Sequence, residues 1–304
     1  MEEAEGGCAG YRESMTSSPL APLAITGSSG HLGGAVARGL AAHTLPLRLI
    51  LRSAKRAPAL VGAEIVEAQY RDRAASEAAL RGVRTLFMVS ASESVDRVDE
   101  HRAFVDAAAA AGVEHIVYTS FFGAAPDSVF TLGRDHYATE QHIRDSGMQF
   151  TFLRDNFYLD FLPELAGDDG VIRGPAGDGR VSAVTRDDIA ACAIEVLLNP
   201  ESHRGATYEL TGRETPNLDE VAATVSRKTG RPVVFENETI EQAYASRAVY
   251  DAPSWQVDAW VSTYTAFAAG EQQRITSDVH RLTGRHPMTL SEYLDSRTTE
   301  HGVG

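Results

Sequence analysis

The residues best placed to do chemistry begin where a short apolar stretch, Ala24-Ile25-Thr26, breaks into Gly27-Ser28-Ser29-Gly30-His31-Leu32-Gly33-Gly34. Glycines at 27, 30 and 33 have the spacing G-x-x-G-x-x-G. The first supplies a tight turn, and the second lets backbone N–H groups approach a pyrophosphate. The third lets a helix sit close on the strand, so that phosphate meets the positive helix N-terminus. A glycine pattern alone is weak, but here a strand precedes it, a helical pattern follows to Ala42, and a second strand begins after Pro46. The expected contacts to a bound dinucleotide are Gly27, Ser28, Ser29, Gly30, His31 and Leu32, with His31 covering the cofactor rather than holding a metal.

A carboxylate about 20 residues past the glycines would take the ribose 2'-hydroxyl of NAD. Here the second strand ends Leu51-Arg52-Ser53-Ala54-Lys55-Arg56, with cations and no carboxylate. Arg52, helped by Lys55 or Arg56, suits a 2'-phosphate through charge-assisted and bidentate hydrogen bonds. NADP is therefore favoured over NAD, the bland alternative being a solvated basic turn.

Three further residues could move or hold a proton. His136 is the natural donor in its helix, its unperturbed pKa being close to 7, although a helix-face or capping role suits it equally. Tyr137 is followed four residues later by Gln141 rather than lysine, so it lacks the neighbouring cation that makes tyrosine a good acid in ketone reductases. Ser120, at a strand end, could hydrogen-bond a substrate oxygen or simply close a turn. Phe121, Phe122, Phe157 and Tyr158 could wall a flat acceptor or belong to the core. No metal-ligand set and no Gly-x-Ser-x-Gly or His-Glu-x-x-His pattern is present, so no metal is expected and hydrolases find no support.

The elements that must position these residues alternate. Strands are expected at 23–26, 47–51, 64–68, 85–90, 115–120 and 149–154, and helices at 31–42, 74–81, 97–111 and 135–146, with Asp72 capping the second. Later come a glycine-rich loop or hairpin at 168–180, a capped helix at 185–199, a strand at 206–211 and a helix at 216–230. The rest, through Asp295, reads as largely helical. Short apolar strands separated by helices imply βαβ units. The expected fold class is α/β, a Rossmann-type doubly wound parallel sheet with a smaller, mostly helical C-terminal substrate lobe. The nucleotide-binding part spans 21–155, joined by 181–212, and the lobe comprises 156–180 and 213–304.

The chain has 304 residues, 43% of them hydrophobic, which is enough for a large core. Its net charge of -14 argues against general binding to nucleic acid or anionic lipid, so an anionic cofactor needs a local positive site. No apolar run reaches the roughly 18 residues a membrane span needs. Residues 1–20 are rich in Glu, Gly and Ser without a cationic start or apolar segment, and read as a disordered tail in which Met15 could be an alternative start. Two cysteines, Cys8 and Cys192, make no disulfide framework, and the reading is cytoplasmic. A homodimer is compatible with the chain, and nothing in it specifies one.

Jointly, ITGSSGHLGG at 25–34, Leu51-Arg52-Ser53, FMVSASE at 87–93, VYTS at 117–120, HYATEQHIRDSG at 136–147, FTFLRDNFY at 150–158, AGDGRVSAVTRDDIA at 176–190 and YELTG at 208–212 resemble one family. It is the NmrA-like group of atypical short-chain dehydrogenases, and within it the type-2 NAD(P)H:quinone oxidoreductases. The resemblance implies NADPH in the glycine-rich cleft and a quinone or related conjugated carbonyl above the nicotinamide. It implies that Ser90 and Ala91 lie along the cofactor and that Asn156, Phe157 and Tyr158 lie near nicotinamide and substrate. It also accounts for the missing tyrosine–lysine pair. Two other functions fit the same features: a reductase of one biosynthetic intermediate, and an NADP-binding redox sensor that does not turn over.

Overall fold

A computed structural model describes residues 22–301, so the tail expected at 1–20, with Cys8 and Met15, lies outside the described residues. The first strand, β1 (Leu23–Thr26), is buried along its whole length, as a central strand of a parallel sheet must be. Six more strands join it: β2 (Leu47–Leu51), β3 (Glu64–Glu67), β4 (Thr85–Met88), β5 (His115–Phe121), β6 (Gln149–Asp155) and β8 (Ala206–Leu210). Their order is β3-β2-β1-β4-β5-β6-β8, and every pair is parallel. The chain reverses its direction of winding between β1 and β4, which leaves a crevice at the carboxyl ends of those strands. The doubly wound α/β sheet expected from the sequence is the one observed.

Helices cover both faces. On one, α1 (His31–Ala41) and α5 (Arg186–Leu198) bury Val36, Leu40, Ile189 and Val196 against Ile25, Leu49, Val117 and Leu153. On the other, α2 (Arg73–Leu80), α3 (Arg97–Ala110) and α4 (Thr131–Asp145) bury Leu80, Phe104 and Ile143 against Leu86, Ile116, Tyr118 and Phe152. Each large apolar side chain so buried contributes about 1.5–3 kcal/mol relative to exposure. Asp72 caps α2 as expected, accepting from the Ala75 N–H at 3.0 Å.

The remaining elements form a second core. A short strand β7 (Val171–Gly174) pairs in parallel with β9 (Val234–Asn237), and α6 (Leu218–Thr229), α7 (Ile240–Arg247), α8 (Ser254–Ala268), α9 (Asp278–Thr283) and α10 (Leu290–His301) complete the list. Of these, α6, α8 and α10 bury Leu218, Val221, Phe267 and Leu290 with Leu159 and Ile172, whereas Val279 of α9 packs under the main sheet. The strand at 234–237 was not expected. It carries one β-branched residue, Val234, which is 57% exposed, so it lacks the alternation that marks a strand and is fixed by its pairing with β7.

Helix α4 starts four residues before the expected Asp135, and the reason is tertiary. Its N-cap position is Phe130, which offers no side-chain cap. Instead the Thr131 N–H donates to Ser262 Oγ on α8 at 3.1 Å, and the Val129 N–H donates to the Glu271 carboxylate at 3.1 and 3.2 Å. Nothing within the helix itself signals such a cap.

Three histidines sit in the core. His101 on α3 accepts from the Ala91 N–H through Nε2 at 2.8 Å, so its Nδ1–H faces Thr139 Oγ1 at 2.9 Å. His115 and His136 are as deeply buried. Burial pushes His101 down to about 3 and His115 to about 4, and holds His136 well below its ordinary value. In the unfolded chain each ring takes a proton near pH 6.5. The stability these neutral rings contribute is therefore complete above that pH and is lost as pH falls through the window down to about 3. Thermal unfolding followed from pH 7 to pH 4 should show a steep fall in melting temperature, and His101→Gln should flatten that limb. An acid limb unchanged in the variant would refute the assignment.

Candidate functional site

The turn after β1 is set by steric exclusion. Gly27 has φ +65°, and a Cβ there would stand 2.9 Å from the Cβ of Val89. A Cβ on Gly33 would lie 2.5 Å from the Gly27 carbonyl oxygen and 2.8 Å from that of Thr26. No L-residue with a side chain fits at 33 without moving the helix off the strand. The N-cap of α1 is Gly30, which supplies no side-chain cap, and no acidic residue lies in the first turn. The first N–H groups of α1 are left open to an anion, where the helix dipole favours negative charge. Beside them the Ser28 hydroxyl is buried without a hydrogen-bond partner. Ser29, Gly30 and His31 are exposed around the same turn, and Leu32 is buried beneath it.

At the end of β2 the turn Ala54–Arg56 is pinned by its own N–H: Ala54 donates to Glu67 at 2.6 Å. Arg52, Lys55 and Arg56 are exposed there, and none makes a hydrogen bond or ion pair among the described residues. Most other arginines here are paired, so this unpaired cluster is a local positive site in an acidic protein. An uncapped helix terminus, an unpartnered hydroxyl and free cations at the neighbouring strand end together fit the pyrophosphate and 2'-phosphate of a phosphorylated dinucleotide.

The loop after β4 is held rigidly. Val89 N–H donates to Thr26 Oγ1, Ser90 N–H to Thr119 Oγ1 and Ala91 N–H to His101, each at 2.8 to 2.9 Å. Arg97 Nε donates to the Ala91 carbonyl at 3.0 Å. Both backbone polar groups of Ala91 are thus held by α3, and β4 ends at Met88 rather than at the expected Ser90 because the next amides turn to side chains. Ser90 and Ala91 remain half-buried at the crevice, with their backbone N–H groups spent inside the protein. Arg97 and His101 were not singled out from sequence. Their i, i+4, i+7 spacing with Phe104 puts two polar groups on a buried helical stripe, a signal that was there to be read.

Several expected roles are overturned. His136 is 6% exposed, and Arg97, which can only donate, places Nη2 2.9 Å from its Nε2. Its Nδ1–H therefore points to Tyr118 at 3.0 Å, and the ring is a neutral core group rather than a proton donor. Ser120 is fully buried and donates to Glu140 at 2.6 Å, while Glu140 also holds Arg154 and Arg144, so its hydroxyl is not free for a substrate. Asn156 is fully buried as well: its amide donates to Ser182 Oγ and the Gln272 carbonyl, and its oxygen accepts from Phe157 N–H. It joins β6 to the segment after α8 and has no polar atom left for nicotinamide. Phe121 and Phe122 are core residues, 8% and 2% exposed. Phe121 packs with Phe130 and Phe157 at centroid distances of 4.7 and 5.0 Å. Tyr137 is half-buried on α4 with no hydrogen bond among the described residues, and Phe157 and Tyr158 are half-buried at the end of β6.

A cavity of about 630 Å³ opens elsewhere, lined by Phe161, Arg173, Arg247, Tyr250, Trp260 and Tyr264 among others. None of the strand-end residues lines it. Tyr264, in its lining, packs on Phe267, which packs in turn on Phe157. Among the described residues no cluster of His, Cys, Asp and Glu could hold a metal, and no helix is long and apolar enough to cross a membrane.

The model of the NmrA-like family matches residues 21–294. Quinone oxidoreductase 2 of Escherichia coli is 34% identical over 278 residues, covering 89% of this chain and 96% of that protein. The NAD(P)H azoreductase of Xenophilus azovorans is 31% identical over 286 residues, 92% of this chain and 99% of the other. The crystal structure of the E. coli NADPH-dependent quinone oxidoreductase with NADPH superposes with a TM-score of 0.82 at 32% identity, covering 91% of this chain and 99% of that one. Triphenylmethane reductase of Citrobacter sp. gives 0.80 at 29% identity, with 91% and 99% covered. This chain belongs to the NmrA-like family.

Proposed function

We propose that this protein is an NADPH-dependent oxidoreductase that transfers hydride to a quinone or a related conjugated acceptor. The observation that carries the reading is the unpaired Arg52, Lys55 and Arg56 beside the uncapped N-terminus of α1. Relatives that cover nearly the whole chain and are named for quinone and azo-dye reduction supply the acceptor class.

NADPH, when bound, supplies the hydride. The Gly27–Gly33 turn and the first N–H groups of α1 receive the pyrophosphate, and Arg52 with its neighbours receives the 2'-phosphate. The clamped Ser90-Ala91 segment gives the coenzyme a fixed edge to lie along, and the half-buried Phe157 and Tyr158 face the acceptor. Such an acceptor spreads the incoming charge over a conjugated ring, so holding donor and acceptor in register supplies much of the rate. No tyrosine–lysine pair is needed, in keeping with Gln141 one turn after Tyr137.

Two substitutions separate the roles in coenzyme binding. Arg52→Glu should weaken NADPH about tenfold or more while leaving NADH nearly unchanged, since only the former carries the 2'-phosphate. Gly33→Ala should weaken both alike, because it displaces the helix end that receives the shared pyrophosphate. Equal losses of both coenzymes in Arg52→Glu would remove the 2'-phosphate assignment. NADPH oxidation followed at 340 nm across small quinones, azo dyes and cyclic ketones tests the activity itself. Tight NADPH binding with no oxidation by any acceptor would replace the enzyme by a redox sensor.

A further inference from the structure

The carboxyl of Asp155 has no part in anything described so far. It is the last residue of β6, only 4% exposed, and its Oδ2 has no hydrogen-bond partner. Side chains along β6 alternate: Phe152 enters the core under α3 and α4, Leu153 the core under α1 and α5, and Arg154 reaches Glu140 on α4. Asp155 falls on the Leu153 side, the side of the sheet on which the phosphate turn opens. Tyr158, three residues further on, packs against that same core, to which Leu32 of the turn belongs, and its hydroxyl lies within electrostatic reach of the Asp155 carboxyl. The ring is half-buried, with the Arg186 guanidinium 5.6 Å from its centroid and Arg186 itself fixed by Asp160 at 2.5 Å. Hydrogen bonds between the backbones of Phe157, Leu159 and Val184, at 2.9 and 3.0 Å, hold the segment on either side of it. A buried acid thus stands behind a phenol at the carboxyl ends of the strands.

We propose that Asp155 and Tyr158 form a proton relay to the acceptor, the Tyr158 hydroxyl donating to the acceptor oxygen as it takes the proton of the Asp155 carboxylic acid. The proposal rests on the reductase reading above. The acceptor gains a hydride from NADPH, leaving NADP+, and one proton. The O–H bond of Asp155 breaks, an O–H bond forms on the reduced acceptor, and the phenol ends neutral. Solvent reprotonates the carboxylate after product leaves. Desolvation pushes Asp155 up to about 8, against the opposing pull of Arg97 on α3 and of Tyr158, so it holds its proton at neutral pH. Burial and the adjacent carboxyl keep Tyr158 well above its ordinary value, with Arg186 pulling the other way and Asp160 adding to the rise. A relay suits such a phenol because it never becomes a phenolate. Tyr118, the other ionisable group coupled to Asp155, is also held protonated by burial, and His136 is neutral.

The test uses the full chain and Asp155→Asn. With NADPH and a small quinone, wild-type kcat should fall above a pH of about 8. The variant should lose roughly tenfold or more at pH 7 together with that alkaline limb, while NADPH affinity, read from coenzyme fluorescence, stays within about twofold. A readout independent of turnover is thermal unfolding without coenzyme. The folded protein retains a proton that the unfolded chain releases near pH 3.9, so this group lowers stability progressively as pH rises from about 4 to about 8. The melting temperature of Asp155→Asn should therefore gain on wild type as pH rises from 6.5 to 8, the contribution of the buried histidines being common to both proteins. A difference that does not change with pH, or a variant with wild-type kcat and pH profile, overturns the relay. Tyr158→Phe should lose kcat similarly, and carries the test should the first variant not fold; unchanged turnover in it also overturns the proposal. A wild-type protein that reduces no quinone overturns the reductase reading and the relay with it, whereas turnover indifferent to both substitutions overturns the relay alone.

Discussion

The closeness of α1 to β1 governs where the chemistry can be. With 2.5 Å between a would-be Cβ at Gly33 and the Gly27 carbonyl, the helix begins directly above the strand end. Its first N–H groups have no side-chain cap, so they hold their positive potential for a ligand at the point where the sheet reverses its winding. The other site features follow from that placement. The β2 end lies one strand away and carries the free cations, the β4 end lies on the other side and is clamped by α3, and the β6 end carries Asp155 and Tyr158.

Buried polar groups tie these strand ends together. Thr26 bridges β1 to Tyr70 and Val89, Thr119 receives Ser90, and Glu140 gathers Ser120, Arg144 and Arg154. Each of these groups is satisfied by another protein group, which is what makes such a layer rigid rather than costly. The same condition took His136 and Ser120 out of the reaction: a side chain whose polar atoms are all engaged in the fold has nothing left for a substrate.

The fold was legible because the signals for it are local. Glycines at 27 and 33, the apolar strands and the helical stripes between them depend on nearest neighbours and on period, and they place the seven strands of the main sheet and helices α1, α2, α3, α5 and α6 to within a residue or two, whereas α7 to α10 read only as a helical remainder. The cation cluster at Arg52, Lys55 and Arg56 was legible for the same reason. The acceptor end was not. Whether His136 meets water or Arg97, whether Asn156 faces a coenzyme or Ser182, and whether Asp155 is solvated or enclosed are set by residues dozens of positions away. The resemblance to a family points to a neighbourhood without saying which side chains in it stay unspent.

The start of α4 carries a different lesson. Its first free amides are satisfied by Ser262 and Glu271, which belong to the carboxy-terminal part of the chain. The two parts are consequently not interchangeable modules. A chimera that exchanged the carboxy-terminal segment for a relative's would also have to import a hydroxyl and a carboxylate at those two places, or α4 would fray from its leading turn. Variation in that segment is thereby channelled into side chains around a fixed joint, rather than into its wholesale replacement.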